Sequence, residues 1–237
     1  KRIDFVGEGW NFGEVANGAR FVQASQLSLN GSGIGTFNDR LRDAIRGGGA
    51  SDPVENLVKL PGFVSGSETS ARVADQIRAG LAGSLRDYRM ESFDGSSKTL
   101  QDIPYGDQPT GYVSQPSEVV NYAENHDNLT LFDSLAYKLP RNTPSAERAR
   151  VQMLAGALVA FSQGVAYFHA GQEILRSKSL DVNSYDSGDL FNVLDWSYQS
   201  NHFGEAIPDF QGSPEAKAIS RALLKDSQLK PSAADIL

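Results

Sequence analysis

Two short segments of the 237-residue chain place carboxylates directly after apolar runs. Glu8 follows the run 3–6 and is flanked by glycines and Trp10, whereas His126 and Asp127 follow the run 119–123. Two carboxylates that face one cleft are suited to general acid–base catalysis. Each also has a simpler explanation: Glu8 could form an ion pair at a strand end, and Asp127 could cap the helix that follows.

Further polar residues follow a third apolar run, at 165–168, and include His169 and Glu173. The stretch from Asp181 to Asp189 is dense in oxygen atoms that could bind calcium. It lacks the Gly and Glu positions of an EF-hand loop, so contacts to substrate hydroxyls or turn formation are the favoured explanations. The run Gly31–Gly35 lacks the G-x-G-x-x-G spacing of a dinucleotide-binding loop and is interpreted as a plain loop.

The elements that would position these groups alternate between strand and helix. The apolar runs predict buried parallel strands, with a weaker candidate at 83–90. Apolar spacing predicts helices at 70–81, at 128–139 and from 143 to 164. Within the last helix, Val151, Leu154, Leu158 and Phe161 recur at helical spacing. This alternation is typical of an α/β domain with a parallel sheet.

The carboxyl ends of parallel strands lie at one edge of their sheet, so Glu8, Asp127 and Glu173 are expected to face the same opening. The stretches 30–56 and 93–116 are rich in Gly, Ser, Asp and Pro and are predicted to be long inserted loops. Within the first stretch, Arg40 and its neighbours alternate with aspartates, which predicts a solvated helix face.

The composition excludes several classes of function. A net charge of -7 and a pI near 5.0 argue against nucleic-acid binding, because there is no excess of basic residues to neutralise phosphates. The absence of cysteine excludes disulfides and thiolate metal sites and is compatible with either secretion or the cytoplasm. The three histidines are too far apart for a helical zinc motif, and no apolar run is long enough for a membrane span.

Three segments together resemble pullulanases and plant limit dextrinases, the α-1,6-glucan debranching enzymes of the α-amylase-like glycoside hydrolase superfamily. They are FVGEGWNFGEV at 5–15, ENHDNLTLFD at 124–133, and FHAGQEILRSKS at 168–179 with NSYDSGD at 183–189. The resemblance implies an α/β fold, namely a partial (β/α)8 TIM barrel with roughly strands five to eight and long inserted loops. Residues 1–237 are therefore expected to be the C-terminal portion of a catalytic barrel, truncated at both ends.

The resemblance also implies roles for individual residues. Glu8 becomes the general acid/base, and Asp127 the carboxylate that stabilises the oxocarbenium-like transition state. The residues implied to bind the sugar are Trp10, His126, Arg176, Asn183, Tyr185 and Asp189. The family's nucleophilic Asp lies in a Gly-Phe-Arg-Phe-Asp-like segment, which these 237 residues lack. The chain alone is therefore expected to be hydrolytically inactive.

The implied partner is an α-glucan polysaccharide or oligosaccharide, with no nucleic acid and no membrane span; the oligomeric state is undetermined. No cofactor is expected to be required, although calcium binding stays an open alternative. Three other interpretations stay open: another member of the superfamily, such as an isoamylase or an α-1,4-acting amylase; a glucan-binding module without turnover; and a purely structural α/β domain.

Overall fold

The computed structural model describes residues 3–66 and 70–237. The chain divides into two compact units. The first is drawn from the ranges Lys1–Ala44, Ser70–Tyr122 and Leu158–Tyr167, and the second from Ile45–Thr69, Ala123–Ala157 and Phe168–Leu237. Both units are discontinuous in sequence, so each depends on contacts between distant parts of the chain.

The strands all belong to the first unit. They are β1 (Phe5–Gly7), β2 (Ile34–Phe37), β3 (Arg89–Glu91), β4 (Ser97–Thr99), β5 (Pro104–Tyr105), β6 (Gln108–Pro109), β7 (Val119–Asn121) and β8 (Val165–Ala166). A four-stranded parallel sheet has the order β1-β2-β7-β8, and β3-β4 and β5-β6 form two antiparallel hairpins. The register pairs Val6 with Gly35, Thr36 with Val119, and Val120 with Val165. The predicted α/β class with a parallel sheet is confirmed.

The second strand of the sheet, β2, lies within a stretch predicted to be an inserted loop. Its Gly35 packs closely between strands, since a Cβ there would lie 3.1 Å from Val6 Cγ1 and 3.3 Å from Val120 Cγ2. Because glycine is typical of loops, Gly35 is also one of the residues that made the composition of the stretch 30–56 resemble a loop. The candidate strand at 83–90 does not join the four-stranded sheet: Leu85 forms an isolated parallel bridge with Val113, and Arg89 and Met90 belong to the β3-β4 hairpin.

The α-helices are α1 (Asp39–Arg46), α2 (Val54–Leu57), α3 (Ala71–Leu81), α4 (Leu131–Lys138), α5 (Ser145–Ala160), α6 (Pro214–Leu224) and α7 (Ala233–Ile236). Short 3-10 segments lie at Gly13–Gly18, Leu100–Asp102, Pro116–Glu118, Gln172–Ile174, Ser184–Asp186, Asp189–Phe191 and Ser227–Leu229. Ser70 caps α3 by accepting a hydrogen bond from Val73 N, so the predicted helix at 70–81 is confirmed. None of the helices in the described ranges is long and apolar enough to cross a membrane.

The helix face around Arg40, predicted to be solvated, is instead buried. The guanidinium of Arg40 is fully buried and donates to Asp39 Oδ1 at 2.6 Å and to Gln26 Oε1 at 2.6 Å. It also lies 4.2 Å from the ring centroid of Tyr112, a cation–π distance. The prediction was wrong because the alternation of charges cannot show that loop residues from elsewhere in the chain cover the helix.

The predicted helix from 143 to 164 is present as α5, but the apolar residues that recur along it do not form its buried face. Leu154 is 45% exposed, and Phe161, just beyond the helix, is 81% exposed. The buried positions are Arg148, Ala149, Gln152, Ala155 and Val159. Because apolar and small residues both recur at helical spacing along this segment, periodicity alone could not select the buried face.

The second unit has one continuous hydrophobic core. It is formed chiefly by helices α4 and α6 with the loops that follow residue 168, and contains Leu129, Phe132, Ala136, Tyr137, Ala149, Ile174, Leu175, Leu180, Phe203, Phe210, Leu223, Leu224, Leu229 and Ile236. The rings of Phe132 and Phe203 meet edge to face at 5.5 Å. Burial of each large apolar side chain stabilises the unit by roughly 1.5–3 kcal/mol.

Candidate active site

Glu8 lies at the carboxyl end of β1 and is exposed. At the carboxyl ends of the other parallel strands lie three aromatic residues: Phe37, Tyr122 and Tyr167. Their rings meet edge to face, with centroids 5.1 Å apart for Phe37 and Tyr122 and 5.2 Å apart for Phe37 and Tyr167. Burial raises the pKa of Tyr122 to about 12. This edge of the sheet therefore carries the exposed carboxylate of Glu8 together with three aromatic rings that pack against one another.

Trp10 lines a cavity of about 590 Å³ in the first unit. The turn that presents Trp10 depends on Gly9, whose φ is +74° and where a Cβ would lie 2.8 Å from Thr36 Cβ. Gln23 Nε2 donates to the carbonyl oxygen of Trp10 at 2.9 Å, which fixes the main chain. Side chains that line the cavity include Asn11, Asn17, Gln23, Gln26, Ser28, Asp39 and Gln108. An aromatic plate beside amide and hydroxyl groups is a surface suited to a sugar.

His126 and Asp127 form an exposed turn in the second unit. Their side chains are 71% and 53% exposed, and His126 Nε2 lies 3.5 Å from Asp127 Oδ1. The alternative that Asp127 caps the next helix is wrong. Thr130 is the N-cap of α4, and its hydroxyl accepts from Asp133 N at 3.1 Å. The carboxylate of Asp127 is therefore available at the surface.

Hydrogen bonds from the protein interior fix the position of the turn formed by His126 and Asp127. Lys178 Nζ donates to the carbonyl oxygen of His126 at 2.7 Å and to Ser184 Oγ at 3.0 Å. Asn128 N donates to the carbonyl oxygen of Val182 at 3.2 Å. The turn is thus tied to the following 181–189 segment by both a side chain and the backbone.

A second buried network joins Glu124, His169 and Arg176. Because a guanidinium only donates, His169 Nε2 accepts from Arg176 Nη1 at 2.9 Å, and His169 Nδ1 therefore carries the hydrogen that faces Glu124 Oε1 at 3.0 Å. The other oxygen of Glu124 accepts from Leu131 N. Glu124 therefore joins the two ends of the segment 124–131, which contains the exposed turn of His126 and Asp127.

The predicted sugar-binding residues fall into two groups within the second unit. Arg176 is only 8% exposed, and besides His169 it donates to the carbonyl oxygens of Ala170 and Asn192, both at 3.2 Å. Burial lowers its pKa. By contrast, Asn183, Tyr185 and Asp189 are exposed. Contact of any of these residues with a sugar stays a prediction, as does the convergence of Glu8 and Asp127 on one pocket.

The oxygen-rich stretch at 181–189 folds by turn formation. Asp181 accepts from Asn183 N and from Ser187 Oγ, both at 2.6 Å. Within residues 3–66 and 70–237, no group of three or more His, Cys, Asp or Glu side chains is arranged to hold a metal ion.

Sequence reasoning missed Asp133, whose buried carboxylate accepts from Ser177 Oγ at 2.5 Å, Lys178 N at 2.8 Å and Leu180 N at 3.2 Å. Burial raises its pKa from the ordinary 3.8 to about 6, because loss of water outweighs these hydrogen bonds. It also missed Lys178. For Asp133 the available signal was a charged residue inside the largely apolar stretch 129–137, since such residues are rarely buried unless paired. Lys178 lies between two serines, and its sequence neighbours gave no such signal.

Comparison with known proteins identifies relatives of the chain as a whole. No family model matches the chain. It is 41% identical over 249 aligned residues to Pullulanase 1, chloroplastic, of Arabidopsis thaliana, covering 100% of this chain and 26% of that protein. It is 43% identical over 218 residues to the pullulanase of Klebsiella pneumoniae, covering 87% of this chain and 20% of that protein.

Solved structures agree with the sequence relatives. The crystal structure of the Klebsiella pneumoniae pullulanase complexed with maltotriose matches with a TM-score of 0.88 and 37% identity, covering 98% of this chain and 23% of that chain. A pullulanase from Klebsiella oxytoca matches with a TM-score of 0.89 and 38% identity. The chain spans about a quarter of the length of these relatives. It therefore belongs to the pullulanase family, as the counterpart of one segment of those larger enzymes.

Proposed function

We propose that the chain forms part of a longer retaining glycoside hydrolase that cleaves α-1,6 branch linkages in pullulan, amylopectin and limit dextrins. The observation that carries the proposal is the exposed carboxylate of Glu8 at the carboxyl end of a parallel strand, in a segment shared with pullulanases. Sites in parallel α/β folds lie at this end of the strands. The Klebsiella relative binds maltotriose, which supports an oligosaccharide ligand.

In the proposed mechanism Glu8 donates a proton to the glycosidic oxygen, and the main chain leaves as an alcohol while the branch keeps its anomeric carbon. A nucleophilic carboxylate forms a glycosyl–enzyme ester, which requires a separation of ~5–5.5 Å from the acid. Glu8 then removes a proton from the water that cleaves this ester. Asp127 stabilises the positive charge that develops on the sugar ring, and His126 binds the same sugar.

The nucleophile is proposed to come from another segment of the longer enzyme, together with the remaining strands of a (β/α)8 barrel. Some large apolar side chains are exposed to solvent in each unit. Phe5 is 66% exposed in the first, and Met153 is 70% exposed in the second. Large exposed apolar surface is typical of an interaction site. The isolated chain is accordingly expected to release no reducing ends from pullulan.

Trp10 and the cavity that it lines are proposed to hold sugars of the leaving group. Sugar faces present C–H groups that pack on an indole ring, and the lining amides offer partners for hydroxyl groups. This arrangement favours a hydrolase over a module that only binds, because a binding module has no need of the adjacent carboxylate of Glu8.

Glu8→Gln in the full-length enzyme tests the proposal. Turnover of pullulan should be lost while affinity for glucan is retained. Glu14→Gln is the matched control, since Glu14 lies in the same segment, is 78% exposed and pairs with Arg20. Unchanged turnover in Glu8→Gln would remove the assignment. Comparison of products from pullulan and amylose separates a debranching enzyme from an α-1,4-acting amylase.

A further inference from the structure

Lys178 is a buried cation with two defined acceptors. The residue is 1% exposed, and its ammonium contacts the carbonyl oxygen of His126 and the hydroxyl of Ser184. Burial of an ammonium is costly unless it is hydrogen-bonded and compensated by opposite charge. The electrostatic influences on Lys178 include attraction to Asp133, Asp181 and Glu124 and repulsion from Arg176.

The side chain of Lys178 is anchored at both ends. At its base, the backbone N of Lys178 donates to the carboxylate of Asp133. At its tip, the ammonium joins two surface segments that each carry predicted sugar-binding residues: the turn with Asp127 and the 181–189 segment. A methionine of similar length would fill the same space and make neither hydrogen bond.

We propose that Lys178 is a positioning residue that fixes the His126–Asp127 turn against the 181–189 segment. It touches no sugar and acts through the backbone next to Asp127. The inference rests on the proposed function of Asp127 and extends it to a residue that no surface contact would reveal. Displacement of a reacting group by about 1 Å can lower a rate by up to about a hundredfold.

The test compares Lys178→Met with Lys138→Met in the full-length enzyme. Lys138 is a matched control because its ammonium likewise has two acceptors in the same unit, the backbone carbonyl oxygens of Gly47 and Leu60. Lys178→Met should lower kcat on pullulan by about ten- to a hundredfold. Lys138→Met should change kcat by less than about twofold. A folded Lys178→Met enzyme with unchanged kcat would overturn the inference.

A second measurement does not depend on activity. Hydrogen–deuterium exchange of the peptide 124–131 should accelerate at least about tenfold in Lys178→Met and stay unchanged in Lys138→Met. Equal exchange in the two variants would contradict the positioning role. If Lys178→Met fails to fold, Ser184→Ala takes its place, because it removes one acceptor of the ammonium and should lower kcat about fivefold. Unchanged kcat in that variant would likewise overturn the inference.

The same set of variants separates this inference from the proposed function. Unchanged turnover in both Glu8→Gln and Asp127→Asn would refute the proposed function and, with it, the role of Lys178. Loss of turnover in those two variants, combined with normal kcat and exchange in Lys178→Met, would refute the positioning role alone. Loss of turnover in all three, with Lys138→Met normal, supports both.

Discussion

Replacing Asp133 by asparagine should change how the stability of the protein depends on pH. Burial raises the pKa of this carboxyl to about 6 from the ordinary 3.8. The folded state therefore holds its proton more tightly than the unfolded state does. The resulting stabilisation is fully present below pH 3.8 and is lost as pH rises through about 6. Asparagine does not titrate, so the variant should lack this component.

The size of the effect follows from the two pKa values. Each pKa unit corresponds to about 1.4 kcal/mol, so the full difference is about 3 kcal/mol. Between pH 4.5 and pH 7.5, where the protein is more easily handled, the wild type should lose about 2 kcal/mol through this group. The asparagine carbonyl can keep the hydrogen bonds from Lys178 N and Leu180 N, which share one carboxylate oxygen. The variant is therefore expected to fold.

The assay is urea denaturation at both pH values, followed by the fluorescence of Trp196, which lies in the same unit. The difference in free energy of unfolding between variant and wild type should shift by about 2 kcal/mol in favour of the variant as pH rises. Parallel pH profiles would refute the reasoning.

Asp75→Asn is the control of opposite sign. Burial of Asp75 raises its pKa, but hydrogen bonds from Ser92, Arg78 and Phe93 N outweigh this and lower it. A lowered pKa in the folded state contributes stability that is present above the unfolded pKa and lost as pH falls. The wild type should therefore gain on Asp75→Asn as pH rises toward 3.8, the reverse in sign of the Asp133 result, and the difference should stay nearly constant between pH 4.5 and pH 7.5, where the Asp133→Asn difference shifts.

Four further substitutions test the structure. Arg40→Met should lower the free energy of unfolding by about 3 kcal/mol, because it leaves Asp39 and Gln26 without their buried partner; urea denaturation measures this, and a loss below about 1 kcal/mol would contradict it. Gly171→Ala should lower the free energy of unfolding by about 1–3 kcal/mol and with it the melting temperature, because φ is +91° and a Cβ would lie 2.5 Å from Leu194 Cδ2. An unchanged melting temperature would contradict this strain. Thr130→Ala should cost about 1 kcal/mol through loss of the α4 cap, whereas Asp127→Ala should leave helix stability unchanged; equal losses in the two would reinstate Asp127 as the cap.

The sequence predicted those features that depend on local pattern. The runs 3–6, 119–123 and 165–168 proved to contain parallel strands, and the helices at 70–81 and 128–139 formed with serine and threonine caps. Each of these depends on residue types within a few positions, which is the range over which propensity and capping act. The three family segments were likewise recognisable from residue order alone, without any contact.

Features that depend on distant packing were not predictable in this way. Strand β2 was not predicted because its glycine, Gly35, packs between two other strands. The apolar spacing of α5 did not identify its buried face, because two faces of that helix have a similar period. Arg40 was assigned to solvent, since nothing near it in sequence shows that Gln26 and Tyr112 surround it.

The sequence by itself determined which side chains could carry acid–base chemistry, because Glu8 and Asp127 each stand directly after an apolar run in a recognisable segment. Only the tertiary structure showed what supports them. Lys178 and Asp133 lie 45 residues apart in the chain yet share a hydrogen bond at 2.8 Å. The physical reason is that the cost of a buried charge is met by partners that folding brings together, and sequence spacing does not encode those partners.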